Sequence, residues 1–330
     1  MRAAVVIPTL NGCGVLSEAL ASLESQTVPV EVVVVDNASS DGTVEMLRAR
    51  FPQVTAVRNA HNEGFGRAVN RGVAEAAEPD VIILVNNDAV CAPDFVERML
   101  APFADPGVGM VAGVLLQGSA PELVDTAGIE LDCTLRSWDM LWNRPVGELE
   151  GAASPVGPCG GAAAYRAEPF KELGGFDESL FAYWEDVDLA LRFRLAGWRC
   201  VRAPGARALH RHGATLGAAS PAQRRLEAFG RGYVLAKYRV GTGRPATRLK
   251  VAVLDVPVLI VHLVFRRELD PLRERLRGRR AGLARPPLRA PLELADVTFC
   301  EALRRQANVL LLRFARRLPA HFAEHESPLA

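Results

Sequence analysis

The stretch VEVVVVDNASSDGT, residues 30–43, joins a run of β-branched residues to a polar turn and the start of a helical pattern. Two further apolar runs have the same character, AAVVIP at residues 3–8 and VIILVNND at residues 81–88. Helical patterns lie beside these runs, at residues 15–25, 43–50 and 66–77. Strands that alternate with helices are typical of a parallel sheet with crossover helices. The first hundred residues therefore predict an α/β fold, with a ligand crevice beyond the carboxyl ends of the strands.

Charge is distributed unevenly along the 330 residues, although the formal net charge is only +1. Residues 1–220 contain 17 Lys and Arg against 28 Asp and Glu, whereas residues 221–330 contain 22 against 10. This asymmetry favours contact between the C-terminal third and an anionic partner, either a membrane surface or a lipid-phosphate substrate. A solvated basic helix face is the alternative. Nucleic acid is disfavoured, because the basic segment has neither zinc-ligand spacing nor a ribonucleoprotein motif.

The composition, with 49% hydrophobic and 23% charged residues, allows a sizeable core in one large or two modest domains. The six cysteines include no CxxC pair, which disfavours a metal cluster or disulfide framework and favours a cytoplasmic setting. Pro8 follows the first apolar run too early for a secretion signal. Residues 251–265 are apolar but are interrupted by Asp255 and Pro257, and they fall short of the ~20 residues of a spanning helix. This stretch is expected to lie on a membrane without crossing it.

The strand pattern becomes irregular in the middle of the chain, where residues 105–165 combine short strands with loops rich in Gly and Pro. A helix is predicted over residues 186–196. Apolar residues at helical spacing after Ala222 predict an amphipathic helix, and further basic helices are expected to about residue 318. Residues 273–291, RERLRGRRAGLARPPLRAP, are interpreted as a charged, Pro-rich connector.

Polar residues follow each predicted strand, at the edge of the sheet where a ligand crevice is expected. The candidates at these strand ends are Pro8, Thr9, Asn11, Asp36, Asn37 and Asn86. Asp36 stands where a buried strand ends, and its carboxylate is suited to accept the imide N–H of a uracil or thymine ring. Asp41, a few residues later, is explained as well by a helix N-cap.

The loop NEGFGRAVNRG, residues 62–72, leads into a predicted helix. It contains Gly64 and Gly66 but lacks the third glycine of a dinucleotide-binding loop, and no long strand directly precedes it. As a loop that enters a helix, it offers backbone N–H groups together with Asn62 and Arg67 to the phosphates or base of a nucleotide. A plain structural turn is the alternative explanation of the glycines.

The strand end Asn86-Asn87-Asp88 places oxygen ligands on one side, because the first and third side chains of a strand point the same way. Such ligands suit Mg²⁺ or Mn²⁺, whose coordination shell substrate phosphates and water would complete. A polar strand terminus without metal is the alternative. In LHRHGAT, residues 209–215, His210 and His212 are candidates for a further metal ligand or a contact with a leaving diphosphate, or are incidental loop histidines.

An acidic pair, Glu185 and Asp186, lies within GGFDESLFAYWEDVDLALR, residues 174–192, between aromatic residues and the start of a helix. The neighbouring rings partly desolvate the pair, which is an environment suited to a base that acts on a sugar. Trp184 and Tyr183 offer a flat apolar platform to an acceptor sugar, while core packing is the alternative for Tyr183.

Taken together, six blocks in this order resemble glycosyltransferase family 2, particularly its rhamnosyltransferase-like branch. The blocks are VIPTLNG, VVDNASSDGT, NEGFGRAVNRG, NNDA, GPCGGAAAYRAEPFKELGGFDE and WEDVDLALR. The resemblance covers about residues 3–220 and implies a GT-A fold, a Rossmann-like mixed sheet flanked by helices. We expect a GT-A domain at residues 1–217, with a nucleotide-binding half at about 1–115 and an acceptor half at about 116–217. A basic helical extension, residues 218–330, is expected to follow.

The resemblance also implies roles for individual residues. Asp36 contacts the base, Asp88 is the metal-side carboxylate of a DXD-like motif, and His210 matches the histidine that follows the catalytic base. Asp186 is that base, and it is expected to stay charged because it opens a helix and faces the positive end of the helix dipole. Glu185 points about 100° away around the helix axis and is the fallback base.

The activity implied by the resemblance is an inverting sugar transfer that uses Mg²⁺ or Mn²⁺. The expected donor is dTDP-L-rhamnose, and the expected acceptor is a surface polysaccharide or a lipid-linked saccharide at the cytoplasmic membrane face. A sugar-1-phosphate nucleotidyltransferase is a rival interpretation, but it needs a cation in the loop after the first strand, and PTLNGCG has none. A nucleotide-sugar-binding protein without catalysis is a second rival, because Asn86 replaces the first carboxylate of the metal motif.

Overall fold

Four parallel strands form one half of a large mixed sheet in the computed structural model, which describes residues 1–211, 220–240 and 244–315. Their bounds are β1 Ala3–Thr9, β2 Glu31–Asp36, β3 Thr55–Arg58 and β4 Val81–Val85. The crossover helices are α1 Cys13–Glu24, α2 Thr43–Arg50 and α3 Phe65–Glu75. The parallel sheet and its three helices confirm the sequence prediction. Only β3 was not predicted, because Val57 is its single buried residue and the strand has no apolar run.

Helices cover both faces of this half of the sheet. Alternate side chains of a strand point to opposite faces, so β1 contributes to two separate clusters. Val5 belongs to a buried cluster with Leu16 of α1, whereas Val6 belongs to another with Val69 of α3. Burial on both faces explains why the strands are continuous apolar runs and not alternating ones.

The other half of the sheet is mixed. Its strands are β5 Ala89–Cys91, β6 Val108–Gln117, β7 Ala120–Thr126, β10 Ala162–Arg166 and β11 Arg199–His210. Between β7 and β10, the chain forms a separate two-stranded sheet of β8 Ile129–Leu131 and β9 Ser137–Asp139. The helices of this half are α4 Phe95–Leu100, α5 Ala167–Glu172 and α6 Glu185–Leu195. The spatial order of the large sheet is β3-β2-β1-β4-β10-β6-β11-β5, with β7 paired to β6.

Two segments that are distant in sequence return to the carboxyl end of β4. Strand β10 runs antiparallel to β4, so its first residues meet the last residues of β4, and the Asn86 N–H donates to the Gly161 carbonyl at 3.1 Å. Strand β11 runs antiparallel to β5 and places His210 opposite Ala89. The strand pairing therefore gathers Asn86, Asp88 and His210 at one edge of the sheet.

Helices make up most of the C-terminal region. They are α7 Pro221–Lys237, α8 Pro245–Ile260, α9 Asp270–Leu283 and α10 Phe299–Ala315, with a π-helical turn at Val261–Phe265. Helices α7 and α9 pack backbone to backbone at glycines. A Cβ atom at Gly278 would lie 2.0 Å from the Phe229 carbonyl oxygen, and one at Gly282 would lie 2.3 Å from that of Tyr233.

The predicted connector at residues 273–291 is therefore wrong over its first part, because residues 273–283 belong to α9. The two glycines of this segment resembled loop residues in the sequence, but their spacing of four places both on one side of a helix. That side lies against α7. Only the part with Pro286 and Pro287 connects helices, as predicted.

A buried lysine joins the C-terminal region to the rest of the protein. Lys237 of α7 lies 2.7 Å from an oxygen of Asp188 on α6 and 2.8 Å from one of Asp177. Tyr238 also donates its hydroxyl to Asp188. The predicted domain boundary at residue 217 lies outside the described residues. Among the residues that are described, no helix is both long and apolar enough to cross a bilayer.

Replacement of Gly72 tests the packing of α3 on the sheet. A Cβ atom there would lie 2.5 Å from Cγ1 of Val6 and 2.9 Å from Cγ2 of Val35. We expect Gly72→Ala to lower the free energy of unfolding by about 1–3 kcal/mol, because overpacking exceeds the gain in helix propensity. Urea denaturation measures the effect. Gly14→Ala in α1 is the control, since nothing lies within 4 Å of its Cβ position, and equal stability of the two variants would contradict the prediction.

Candidate active site

A cavity of about 930 Å³ opens at the carboxyl ends of β1 and β4. Its volume is in the range of ligand pockets, which is about 300–1,000 Å³. The start of α6 and residues of all four C-terminal helices complete its wall. Of the candidates predicted from the sequence, those that line it are Pro8, Thr9, Asn37, Asn62, Gly64, Asn86, Asp88, Tyr183, Trp184, Glu185, Asp186 and His210.

Three predicted nucleotide-binding residues do not line the cavity as placed here. The Asp36 carboxylate is buried, accepts the Ser39 N–H at 3.0 Å and lies 3.4 Å from Arg58. Asn11 accepts the Ser40 N–H. These two side chains shape the loops after β1 and β2, and their direct contacts with a nucleotide stay a prediction.

Arg67 is the third of these residues. Its guanidinium lies 3.0 Å from Glu178 and is half exposed. Its position on the first turn of α3 places it beside the loop before α6, and its contact with the nucleotide stays a prediction. The Gly64 backbone lies at the cavity instead, where a side chain would collide with the Phe181 carbonyl at 2.3 Å.

His210 links the two residues expected on the metal side of the site. Its Nε2 lies 3.1 Å from an oxygen of Asp88 and 3.1 Å from the side-chain amide of Asn86. Its Nδ1 lies 2.7 Å from Asp125 on β7. Sequence reasoning did not find Asp125, because the pairing of β6 with both β7 and β11 alone brings it beside His210. Its distinguishing feature in the sequence is a carboxylate between Val124 and Thr126, two residues that are both buried in the structure.

The two carboxylates favour a protonated His210. Burial alone would lower its pKa, but hydrogen bonds to Asp125 and Asp88 outweigh burial and raise the pKa to about 9. Because this value exceeds that of an unfolded histidine, the cluster stabilises the fold fully below about pH 6.5. The contribution is lost as the pH rises through about 9.

The same side chains fit a divalent cation. The Asp88 carboxylate and the imidazole of His210, in its neutral form, suit Mn²⁺. Asp125 would orient His210 through its other ring nitrogen, as carboxylates do for metal-bound histidines. Among the described residues there is no cluster of three or more His, Cys, Asp or Glu placed to hold a metal. Phosphate oxygens and water would have to supply the remaining ligands.

Asp186 lies in the first turn of α6 and is held by two backbone N–H groups. Its oxygens accept the Val187 N–H at 2.8 Å and the Gly160 N–H at 3.2 Å. Burial nevertheless raises its pKa above the ordinary value, against the favourable backbone hydrogen bonds. The sequence prediction considered only the helix dipole, which favours the charged carboxylate. Burial favours the neutral form and is the larger effect on the pKa.

Glu185 lies deeper than its neighbour. It is buried, and its Oε2 has no hydrogen-bond partner in the described structure. Burial, followed by repulsion from Asp186, raises the pKa of Glu185 well above its usual range. Two adjacent carboxyl groups can take different roles when their environments shift their pKa values apart. Here the pKa of Glu185 is raised further than that of Asp186, and backbone N–H groups stabilise the anion of Asp186.

Trp184 and Tyr183 precede this pair in an unusual backbone conformation, with φ of 75° and 65°. Trp184 packs on α7, where a Cβ atom at Gly230 would lie 2.4 Å from its ring, and the Arg231 guanidinium lies 5.6 Å from its centroid. Both aromatic residues also line the cavity. Burial, with the nearby charge of Glu227, raises the pKa of Tyr183 to about 12. The C-terminal helices thus hold the aromatic wall in place.

Comparisons with known proteins agree with this geometry. The model of the family described as glycosyl transferase family 2 matches residues 4–174. An N-acetylglucosaminyl-diphospho-decaprenol L-rhamnosyltransferase of Mycobacterium tuberculosis is 32% identical over 220 residues, which cover 59% of this chain and 71% of the relative. An O-antigen chain rhamnosyltransferase of Salmonella typhimurium is 27% identical over 219 residues, which cover 65% of this chain and 68% of the relative.

A solved structure extends the likeness to the C-terminal helices. The mannosyltransferase from Pyrobaculum calidifontis, in complex with GDP-Man and Mn²⁺, has a TM-score of 0.54 and 21% sequence identity. The match covers 98% of this chain and 82% of that protein. At this identity it shows a shared GT-A fold, which confirms the predicted fold class.

Asp125→Asn tests the hydrogen bonds around His210. With one carboxylate removed, we expect the pKa of His210 to fall from about 9 to the ordinary value of about 6.5 or below it. An NMR titration of the imidazole C–H resonances in metal-free protein measures it. The control is Glu122→Gln, which removes an exposed carboxylate from the same strand. An unchanged His210 titration in the Asp125 variant would contradict the placement of this pair.

Proposed function

Because the chain belongs to glycosyltransferase family 2, we propose that it transfers a sugar from a nucleoside diphosphate donor, with inversion at the anomeric carbon. The observation that carries the proposal is the shared cavity, which joins the strand ends, Asp88 and His210 to the acidic pair of α6. The proposed acceptor is a hydroxyl group of a cell-surface polysaccharide or a lipid-linked saccharide. The proposed donor is dTDP-L-rhamnose, supported by the names of the two bacterial relatives.

In the proposed mechanism, Asp186 takes the proton of the attacking acceptor hydroxyl. A positioned carboxylate base contributes about 10²- to 10⁴-fold to the rate. The N–H groups of Gly160 and Val187 fix its orientation and favour its anion. The raised pKa makes it a stronger base than an exposed aspartate. Glu185, kept neutral by burial, places no second negative charge beside it.

Negative charge develops on the departing diphosphate as the glycosidic bond breaks. Asp88 and His210 are the proposed holders of Mg²⁺ or Mn²⁺, which when bound neutralises this charge. Without a metal ion, a protonated His210 would itself attract the diphosphate, whereas the imidazole must be neutral to bind the metal. Asp125 keeps its ring oriented in both cases. Asn37, Asn62 and the Gly64 backbone are the proposed contacts of the nucleotide, since they line the cavity beside β1 and β2.

Asp186→Asn is expected to lower the rate of sugar release by about 10²- to 10⁴-fold and to leave donor affinity nearly unchanged, because an amide fills the same space without accepting a proton. Calorimetry with a panel of sugar nucleotides and Mn²⁺, beginning with dTDP-L-rhamnose, measures donor affinity. Release of dTDP in water measures slow transfer to solvent. Glu185→Gln is the matched control and should keep both properties, since glutamine has the shape of the neutral acid.

The opposite pattern would reject this assignment. Loss of donor affinity in Asp186→Asn would place that carboxylate on the donor, and loss of turnover in Glu185→Gln alone would make Glu185 the base. If no sugar nucleotide binds the wild-type protein, the transferase proposal itself fails.

We also propose that α8 contacts an anionic membrane surface at the cytoplasmic face. Four apolar side chains form a stripe along one side of this helix and are each between 40% and 65% exposed, namely Leu249, Val253, Val256 and Ile260. Their spacing of three or four residues keeps them on one face. Exposed arginines lie before and after the stripe, at Arg244, Arg248 and Arg267. An apolar stripe flanked by basic residues suits the interface of a bilayer that contains anionic lipid.

The double substitution Val256→Asp and Ile260→Asp is expected to reduce vesicle binding at least about tenfold, because it removes apolar burial and adds repulsion from anionic lipid. Flotation with vesicles of phosphatidylcholine and phosphatidylglycerol measures binding. Leu195→Asp, at another exposed apolar side chain on α6, is the control and should bind as the wild type does. Equal binding by all three proteins would exclude α8 as the contact.

A further inference from the structure

Three arginines surround one aspartate in the wall of the cavity. Asp255 lies on the inner side of α8 and is buried. Arg136, from the loop between β8 and β9, and Arg275 of α9 both contact its carboxylate, and Arg231 of α7 lies 3.3 Å from it. All three arginines line the cavity. We refer to Arg136, Arg231 and Arg275 as the arginine cluster.

The arginine cluster contains more guanidinium groups than there are carboxylates directly beside it. Asp255 is the carboxylate in direct contact with it. Asp132 lies nearby, but its carboxylate accepts the N–H groups of Thr134 and Arg136 in a local turn. These two carboxylates are one fewer than the three guanidinium groups of the cluster, and Asp139 and Glu227 line the same cavity.

This surplus has a physical cost. Burial lowers the pKa of Arg231 to about 10, and although Asp255 opposes this change, Arg136 and Arg275 add to it by repulsion. A buried charge without a counter-charge is destabilising, so a further anion beside the cluster would offset part of this cost. The Arg136 Nε is also buried and has no hydrogen-bond partner in the described structure. The cluster therefore combines an excess of guanidinium groups with a donor that has no partner among the described residues.

The position of the cluster assigns that anion to the acceptor side. The cluster is built from the β8–β9 loop and C-terminal helices, whereas the expected donor contacts come from the strand ends. Arg231 packs over the ring of Trp184, which directly precedes Glu185 and Asp186. An anion held here would thus lie behind the aromatic wall that precedes the proposed base.

Apolar side chains continue from the cluster along the same helix. Val258 and Leu259 of α8 and Val309 of α10 line the cavity. The outer face of α8 carries the exposed apolar stripe described above. A ligand that matches this wall has a phosphate group attached to an aliphatic chain.

We propose that the arginine cluster binds the phosphate or diphosphate that joins the acceptor sugar to a lipid. This inference rests on the proposed transferase function and identifies its acceptor as a lipid-linked phosphosugar. The guanidinium groups of Arg136 and Arg275, which are the more exposed members of the cluster, would bind the phosphate oxygens, and α8 would contact the first part of the lipid chain. Arg231 would couple acceptor binding to the position of Trp184.

Calorimetry with geranyl diphosphate, a short lipid diphosphate that carries no sugar, tests the proposal on the full chain. Arg275→Gln is expected to weaken binding by about tenfold or more, since it removes charge-assisted hydrogen bonds to the diphosphate. Arg277→Gln is the matched control, because Arg277 lies on the same helix but is 69% exposed. It should bind as the wild type does. Equal weakening by both variants would indicate a diffuse charge effect and overturn the proposal.

Two further ligands separate the sources of the anion. Saturating dTDP should leave geranyl diphosphate bound, and displacement would show that the probe occupies the donor site. Inorganic pyrophosphate should bind more weakly than geranyl diphosphate, and equal binding would reject the lipid part of the proposal. Circular dichroism checks folding, and Arg136→Gln replaces Arg275→Gln if the latter unfolds. Because no donor sugar is used, a negative result here leaves the Asp186 experiment unaffected.

Discussion

The candidate site depends on a buried carboxylate whose anion is stabilised by backbone N–H groups. Asp186 loses hydration in the cavity wall, and two backbone N–H groups, from Val187 and Gly160, replace part of it. The Gly160 N–H reaches this position because β10 runs antiparallel beside β4. Lys237 holds α6 from the other side through Asp188. Sheet pairing and the C-terminal helices thus act on the same helical turn.

The C-terminal helices belong to the site and are more than an attachment to it. Gly230 leaves room for the Trp184 ring, and Arg231 lies over its face. Asp255 of α8 is joined through arginines to α7, to α9 and to the loop between β8 and β9. The basic excess of this region, for which the sequence predicted an anionic partner, either a membrane surface or a lipid-phosphate substrate, has two locations. Part of it lines the cavity, and part lies exposed around α8.

Much of the first half of the fold was predictable, because β1, β2 and β4 are buried on both faces and their apolar runs are continuous. The strand ends also identified Asn86 and Asp88, since residues beyond parallel strands meet at one edge. Local pattern failed where packing decided the outcome. The glycines of α9 resembled a loop, yet they permit its contact with α7. Asp125 had no motif, because only strand pairing brings it to His210.

The sequence by itself determined the parallel sheet, the family and the acidic pair, because each is written in contiguous residues with a local pattern. Tertiary structure alone decided that burial raises the pKa of Glu185 well above its usual range, that Arg67 pairs with Glu178, and that three arginines share one cavity wall. The reason is physical. Burial, charge compensation and ion pairing depend on distances between segments far apart in the chain, and periodicity within one segment contains no information about those distances.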